Sequence, residues 1–221
     1  MALSLGFESA LWDAGARVVV GIDEVGRGAL AGPVSVGLVA VVRCDAWPPG
    51  LADSKQLTAR AREALIEPLA SFGVGRAVGH ASAAEIDAVG IIAALRLAGV
   101  RGLAALASEG VAVDAVLLDG THDWLTAPPV DLFSDADAES VLTPPVTMVV
   151  KGDGLCPSIA AASVIAKVER DAIMVAAHDE HPHFGWDGNK GYGAASHLEA
   201  LRDYGPSPLH RVSWKLPTRS R

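Results

Sequence analysis

Short runs of β-branched and aliphatic residues alternate with helical stretches along this chain, and that alternation restricts it to an α/β architecture. Five runs predict strands, over residues 17–22, 34–42, 74–80, 113–118 and 146–150. Helical spacing predicts helices over residues 57–72, 82–107, 158–177 and 194–204. We therefore expect a central mixed β-sheet flanked by helices on both faces, with an α-helical C-terminal part.

Local signals refine these boundaries. The first two strands lie close in sequence, which predicts a hairpin-like pair. Thr58 predicts an N-cap, and Ser82 with Glu85 has the spacing of a capping box. The helical region that follows is expected to be interrupted at its glycines, Gly90 and Gly99. Long polar stretches predict a loop over residues 121–145, a second loop over 181–193 and an irregular or frayed tail over 206–221.

The composition favours a protein of a reducing compartment. Cys44 and Cys156 form no paired motif, so we expect both to be small buried hydrophobic residues. The N-terminal residues lack the basic start of a secretory signal. The most apolar stretch, around residues 88–107, is broken by Arg96 and Arg101. We expect a cytoplasmic protein outside the membrane, with a monomer as the default state.

Charge is unevenly distributed along the chain. The formal net charge is -8, but residues 111–145 alone hold seven Asp and Glu residues and no Lys or Arg. Residues 187–221 hold six Lys and Arg residues against three acids. An acidic patch and a basic tail suit a metal site beside a phosphate track, and they equally suit an ordinary mixed surface.

Three of the predicted strands are followed by acids, Asp23 with Glu24, then Asp119, then Asp153. Ligands of open α/β sheets bind beyond the strand ends, so neighbouring strands would bring these four carboxylates to one point. Crowded carboxylates require a cation, and oxygen ligands without cysteine indicate Mg²⁺ or Mn²⁺ rather than Zn²⁺. Two such ions can catalyse phosphodiester hydrolysis.

Strand geometry limits this interpretation. Adjacent residues of a strand point to opposite faces, so Asp23 and Glu24 share a site only if the strand ends there. The glycine turn at Gly26 and Gly28 permits such an end. Each acid taken alone is also a common turn former, as in Asp119-Gly120, and only the joint pattern favours a metal site.

Six motifs in order resemble a known family. They are Gly21-Ile22-Asp23-Glu24-Val25-Gly26-Arg27-Gly28, Asp53-Ser54-Lys55-Gln56-Leu57, Val116-Leu117-Leu118-Asp119-Gly120, Lys151-Gly152-Asp153, the segment from Ser158 to Asp171, and Lys190-Gly191-Tyr192. Together they cover most of residues 18–215 and resemble ribonuclease HII, the bacterial type 2 ribonuclease H. The resemblance implies a ribonuclease H-like fold, with a catalytic domain over residues 1–185 and a C-terminal segment over 186–221 packed on it.

The resemblance also implies an activity. A ribonuclease HII hydrolyses the bond 5′ to a ribonucleotide, in RNA/DNA hybrids and in duplex DNA, leaving 3′-hydroxyl and 5′-phosphate ends. The metal-binding and catalytic acids would be Asp23, Glu24, Asp119 and Asp153. Substrate contacts would come from Gly26, Arg27 and Gly28 at the ribose, from Tyr192 at the next sugar, and from Lys55, Ser158 and Ser163 at phosphates.

Four features depart from the family pattern. Gly154 stands where a serine is usual, and Asn189 and Gly193 flank the Lys-Gly-Tyr motif where histidine and proline are usual. Residues 121–145 form a longer insert than expected. None of these departures removes an acid, but they bear on how Tyr192 is held.

Simpler roles compete with the functional ones. Arg27 and Lys55 could be surface cations, Tyr192 a half-buried ring, and one of Ser158 and Ser163 a packing residue. Lys167 and Arg170 could face DNA or pair with neighbouring acids. A zinc site at His178, His181 and His183 lacks a fourth ligand, so exposed or capping histidines are expected there. A calcium loop at residues 135–139 lacks the glycine that an EF-hand requires, so a solvated acidic loop is expected.

Two further functions compete with the ribonuclease hypothesis. A nuclease of the same superfamily would cut DNA without requiring a ribose. A non-catalytic module would bind duplexes without cutting, but it would gain nothing from four negative charges beside phosphates.

Overall fold

The computed structural model describes residues 2–127 and 143–217, and a five-stranded mixed sheet forms its centre. The strands are β1 (Val19–Val25), β2 (Val34–Val41), β3 (Gly75–Ala81), β4 (Ala115–Asp119) and β5 (Val146–Val149), in the order β3-β2-β1-β4-β5. Strand β2 pairs antiparallel with β1 and β3, whereas β4 pairs parallel with β1 and β5. The predicted mixed sheet and the hairpin-like first pair are confirmed.

Helices connect and cover the strands. They are α1 (Gly6–Asp13), α2 (Ala59–Ala70), α3 (Ala83–Val89), α4 (Ile91–Ser108), α5 (Pro157–Glu180), the single turn α6 (Trp186–Asn189) and α7 (Ala195–Tyr204). The predicted caps are present: the Thr58 side chain accepts the Ala61 N–H, and Ser82 and Glu85 form a capping box. The predicted break at Gly90 separates α3 from α4, but Gly99 lies inside α4 and does not interrupt it.

The central strands β1, β2 and β4 are largely buried on both faces, because helices cover both sides of the sheet. Helix α5 packs on β1 and β2 from one side, and α4 packs on β2 and β3 from the other. Alternation along β2 gives Val39 and Val41 to the first core and Val36 and Leu38 to the second. Each such fully buried side chain contributes about 1.5–3 kcal/mol to folding, so both helices are fixed firmly against the strands.

Two terminal segments differ from the predictions. Helix α1 was not expected, because its N-cap Leu5 makes no side-chain capping hydrogen bond that would mark a start. The tail is irregular, as one alternative predicted, but its described part, up to residue 217, is anchored rather than frayed: His210 forms a bridge with Ala31, and His210 and Arg211 are buried. Of the two cysteines, Cys156 is buried as expected, whereas Cys44 is only partly buried.

Helix α4 is long and apolar enough to cross a membrane by length and composition alone. In the structure one side of it packs on the sheet through Ala94, Leu95, Ala98 and Leu106, all of which are fully buried. This is the behaviour of a core helix. Residues 128–142, which hold the acidic residues at 135–139 and most of the predicted loop at 121–145, lie outside the described part of the chain.

Candidate metal centre

Three carboxylates meet at the carboxyl end of the parallel strands β1, β4 and β5. Asp23 lies in β1, Asp119 is the last residue of β4, and Asp153 lies in the 3-10 turn Gly152–Gly154 after β5. One oxygen from each of these side chains lies within 4.8 Å of the other two. The Gly152 N–H donates to Asp119 Oδ1 at 2.7 Å, which ties the two strand ends together.

Glu24 lies beside this group rather than in it. Strand β1 continues to Val25, so the expectation that the strand stops at Asp23 is wrong. Glu24 is therefore an ordinary strand neighbour of Asp23, and its N–H donates to Asp23 Oδ1 at 2.8 Å. Its carboxylate pairs with Arg27 at 3.3 Å and lines the same cleft as Asp23 and Asp119.

Burial and mutual repulsion disfavour the charged forms of these acids. Burial and the nearby Asp119 carboxylate raise the pKa of Asp23 to about 8. Burial, followed by repulsion from Asp153, raises the pKa of Asp119. Burial also raises the pKa of Glu24, although Arg27 opposes that shift. Such a cluster gains from a divalent cation, and its all-oxygen ligands fit Mg²⁺ or Mn²⁺.

Lys55 is the cation closest to the cluster. Its Nζ donates to Asp153 Oδ2 at 2.7 Å. Burial lowers the pKa of Lys55, but the hydrogen bond to Asp153 and the charges of Asp153, Asp23 and Asp53 together outweigh it and raise the pKa above its usual range. Asp53 caps the 3-10 turn Ser54–Gln56 by accepting the Lys55 N–H, so the lysine leaves the backbone in a fixed direction.

A cleft of about 330 Å³ opens in front of the acids. Its lining unites most of the predicted substrate contacts, namely Gly26, Arg27, Gly28, Lys55, Ser163 and Tyr192. Arg62 and Lys167 also line it, so four cationic side chains face the same space as Asp23, Glu24 and Asp119. A cleft with acids at its base and cations around it suits a phosphodiester backbone that is held by its phosphates.

The two predicted serine contacts have different surroundings. Ser163 lines the cleft, and its hydroxyl lies 2.7 Å from that of Ser54. Ser158 is fully buried, and its hydroxyl donates to Glu8 Oε1 at 2.7 Å. The expectation that Ser158 contacts a phosphate therefore requires correction, because its hydrogen-bonding capacity is used inside the protein.

A buried arginine, Arg211, supports the glycine turn from behind. Its guanidinium donates to the carbonyl oxygens of Gly26 at 2.7 Å, Arg27 at 3.0 Å and Gly32 at 3.1 Å. Gly26 has φ of +82°, and a Cβ there would lie 2.8 Å from the Pro33 carbonyl oxygen, so only glycine fits. Sequence reasoning missed Arg211 because it lies in a segment that was predicted to be an irregular or frayed tail.

A second buried arginine, Arg170, joins this turn to the Lys-Gly-Tyr motif. It donates to the carbonyl oxygens of Ala31 at 2.8 Å and of Lys190. Neither of its predicted roles is correct, since it is fully buried and binds carbonyl groups rather than DNA or an acid. Lys167 instead forms the predicted ion pair with Asp171, at 2.8 Å, and it also lines the cleft.

Tyr192 is held by its ring and by its backbone. Its ring lies 5.6 Å from Lys167 Nζ and 5.3 Å from Arg170 Cζ, within the range of cation–π contacts. Asn189 accepts the Gly191 N–H at 2.8 Å and donates to the Phe184 carbonyl at 2.7 Å. The unusual Asn189 therefore fixes the turn through hydrogen bonds of its own.

The other two departures leave room for the usual residues. A Cβ on Gly154 would have no heavy atom within 4 Å, and one on Gly193 would meet Leu30 Cδ1 at an ordinary 3.5 Å. Neither glycine is therefore required by the packing.

A histidine pair, also missed, supports Tyr192 from the interior. His210 Nδ1 accepts the Ser207 N–H at 2.9 Å, so its proton lies on Nε2 and is donated to His197 Nε2 at 3.0 Å. His197 Nδ1 then donates to the Tyr192 carbonyl at 2.8 Å. Burial lowers the pKa of His210 to about 4 and also lowers that of His197, so both are neutral. Among the described residues, no histidine joins a metal-binding group.

Residues 20–217 match the profile of a family described as Ribonuclease HII. A ribonuclease HII of Streptomyces avermitilis is 48% identical to this chain over 200 residues, which cover 90% of this chain and 78% of the relative.

Solved structures share the fold. The RNase HII of Archaeoglobus fulgidus, determined in complex with PCNA, has a TM-score of 0.67 at 25% identity and covers 89% of this chain and 93% of its own. Bst-RNase HIII, determined in complex with Mn²⁺, has the same TM-score at 20% identity and covers 94% of this chain and 70% of its own.

Proposed function

Because the chain belongs to the ribonuclease HII family, and is therefore a divalent-metal-dependent ribonuclease H, we propose that it hydrolyses the phosphodiester 5′ to a ribonucleotide. Its substrates would be RNA/DNA hybrids and duplex DNA with embedded ribonucleotides, and the products would have 3′-hydroxyl and 5′-phosphate ends. The observation that supports this is the position of Asp23, Asp119 and Asp153, within 4.8 Å of one another at a cleft that Gly28 and Tyr192 line.

The acids would bind the metal. Asp23, Asp119 and Asp153 supply the oxygen ligands, and Glu24 is placed to add a further carboxylate from the side of the cleft. Two Mg²⁺ or Mn²⁺ ions bound there would activate a water molecule and stabilise the leaving oxygen. Lys55, already paired with Asp153, would bind a phosphate oxygen next to the scissile bond.

Selection of the ribose would come from the glycine turn. Arg211 engages the carbonyl oxygens of Gly26 and Arg27 inside the protein, so we assign the amide donors of the turn to the 2′-hydroxyl. Gly28 leaves the space for this approach, because a Cβ there would have no protein atom within 4 Å. Tyr192 would stack on the following sugar and favour a deoxyribose in that place.

The direct test is a DNA duplex with one ribonucleotide, incubated with Mg²⁺ or Mn²⁺. We expect a single cut 5′ to the ribonucleotide, lost in Asp119→Asn. Gly28→Ala should keep the fold and metal binding but reduce cleavage about 100-fold, since a displacement of about 1 Å costs that much. Gly188→Ala is the matched control, because a Cβ at Gly188 also has no heavy atom within 4 Å.

Two results would contradict the proposal. Equal cleavage of an all-DNA duplex would indicate a nuclease without a ribose requirement, and duplex binding without metal-dependent cleavage would indicate a binding module. A cytoplasmic location, a monomeric state and the division at residue 185 stay predictions from the sequence.

A further inference from the structure

Helix α1 precedes residue 20, where the match to the family profile begins. It is nevertheless attached to the metal centre from behind. The Ser4 N–H donates to the Leu155 carbonyl at 2.9 Å, immediately after the turn that contains Asp153. Trp12 packs in the same core cluster as Cys156 and other residues at the start of α5.

The innermost residue of this segment is a fully buried carboxylate, Glu8. Its Oε1 accepts the Ser158 N–H at 3.1 Å and the Ser158 hydroxyl at 2.7 Å, at the N-terminus of the 24-residue helix α5. Among the described residues no cation pairs with Glu8, and its Oε2 has no hydrogen-bond partner. Burial raises the pKa of Glu8, whereas the hydrogen bonds from Ser158 and the dipole of the helix terminus oppose that shift.

The first turn of α5 is in direct contact with two of the backbone segments that contain the acids. A Cβ on Gly21, two residues before Asp23, would lie 2.3 Å from the Ser158 carbonyl carbon. A Cβ on Gly152, next to Asp153, would lie 2.5 Å from Ile159 Cδ1. Gly21 therefore packs directly on the backbone of α5, and Gly152 packs on the Ile159 side chain, so a shift of this turn would displace the segments that contain Asp23 and Asp153.

The third acid is coupled to the same turn. Gly152, which contacts Ile159, donates its N–H to Asp119 Oδ1. Movement of the first turn of α5 would therefore change the separation of all three carboxylates, and Glu8 is the group that binds that turn.

We propose that Glu8 is a positioning residue for the carboxylate cluster, and that α1 is a functional part of the metal centre. Glu8 occupies the N-terminus of α5 and so fixes the distances between Asp23, Asp119 and Asp153. This proposal rests on the proposed function for its kinetic consequence, but the metal-binding consequence can be measured without any substrate.

The first test is Glu8→Gln, which keeps the shape and one acceptor oxygen but replaces the carboxyl group with an amide. Mn²⁺ affinity, measured by calorimetry on the protein without a duplex, should fall about tenfold, as when a group that supports metal ligands is lost. On a duplex with one ribonucleotide, kcat should fall while KM for the duplex stays close to wild type. Asp13→Asn is the matched control, since Asp13 lies on the same helix with its side chain 70% exposed.

A second variant protects the test from a folding defect. Ser158→Ala removes one of the two hydrogen bonds to Glu8 and should weaken Mn²⁺ binding in the same direction, by a smaller factor. Wild-type Mn²⁺ affinity and kcat in Glu8→Gln would overturn the proposal, even if the protein were less stable. If Glu8→Gln is insoluble, wild-type Mn²⁺ affinity in Ser158→Ala overturns it instead.

The two proposals fail in different ways. A wild-type protein that binds Mn²⁺ but leaves the ribonucleotide duplex intact would contradict the proposed function, and the Mn²⁺ titrations of the variants would still decide the role of Glu8.

Discussion

The acid cluster and the buried arginine pair are both concentrations of like charge, but they are stabilised in opposite ways. Asp23, Asp119 and Asp153 crowd their oxygens together, and burial raises the pKa of Asp23 to about 8. Arg170 and Arg211 are fully buried, and burial followed by repulsion from Arg170 lowers the pKa of Arg211 to about 10. The acids have one cation close at hand, Lys55, whereas the arginines donate to several backbone carbonyls.

This difference separates a binding site from a support. The acids keep oxygen atoms available at the edge of a cleft, so their electrostatic cost is relieved by a ligand from outside. The guanidinium donors are used on carbonyl groups of Gly26, Ala31 and Gly32, so that pair is complete within the protein. Removal of charge should therefore affect stability with opposite sign in the two places.

The largest expected effect is the loss of Arg211. Arg211→Met should lower the free energy of unfolding by about 3 kcal/mol or more, because the carbonyl oxygens of Arg27 and Gly32 would lose their guanidinium donor and that of Gly26 would keep only the Ala29 N–H at 3.2 Å. Urea unfolding in the presence of a metal chelator measures this loss of stability. A loss below about 1 kcal/mol would mean that the arginine pair is not the support described above.

The second effect concerns pH. The folded pKa of Asp23, about 8, lies above its unfolded value, and those of Asp119 and Glu24 are also raised. The folded state then binds more protons, so the chelated protein should lose about 1–3 kcal/mol of stability as pH rises from about 5 to about 8. The hydrogen bond from Arg101 lowers the pKa of Glu85 to about 2. The contribution of Glu85 to stability is therefore fully present at about pH 5 and does not change between about pH 5 and about pH 8.

Urea unfolding with a chelator across this pH range measures the loss. Asp23→Asn should flatten the pH dependence, and Mn²⁺ should stabilise the wild type more at the upper end of the range than at the lower. If the free energy of unfolding changed with pH by the same amount in wild type and in Asp23→Asn, the crowding of the acids would not destabilise the folded protein.

The smallest effect sets the baseline for both regions. Arg43 and Asp13 form an exposed ion pair, with side chains 60% and 70% exposed. Arg43→Ala should change the free energy of unfolding by less than about 0.5 kcal/mol, because solvent screens the pair. A double-mutant cycle with Asp13→Asn that gave a coupling above about 1 kcal/mol would remove the contrast between buried and exposed charge.

Strand-end acids were predictable because each follows an apolar run in the sequence. Three parallel strand ends necessarily meet at one edge, which is why Asp119 and Asp153 could be placed beside Asp23 without coordinates. The position of Glu24 was not predictable in this way, because the sequence does not mark where β1 ends. The strand continues to Val25 rather than stopping at Asp23.

The supporting residues were not predictable in the same way. Glu8, Arg170 and Arg211 look like ordinary surface charges in sequence, and their burial depends on contacts with residues more than 100 positions away. Ser158 was misassigned for the same reason, because its partner Glu8 lies 150 residues earlier in the chain. Periodicity reports which face of an element is buried, but not which distant polar group meets it.

The parallel pairing of β1 with β4 has a consequence for synthesis of the protein. The antiparallel strands β1, β2 and β3 all lie before residue 82 and can pair early on the ribosome, whereas β4 and β5 arrive much later. Asp153 and the start of α5 emerge only after two thirds of the chain has been translated. A chain truncated before residue 153 lacks one of the three clustered carboxylates, so it cannot assemble this metal centre.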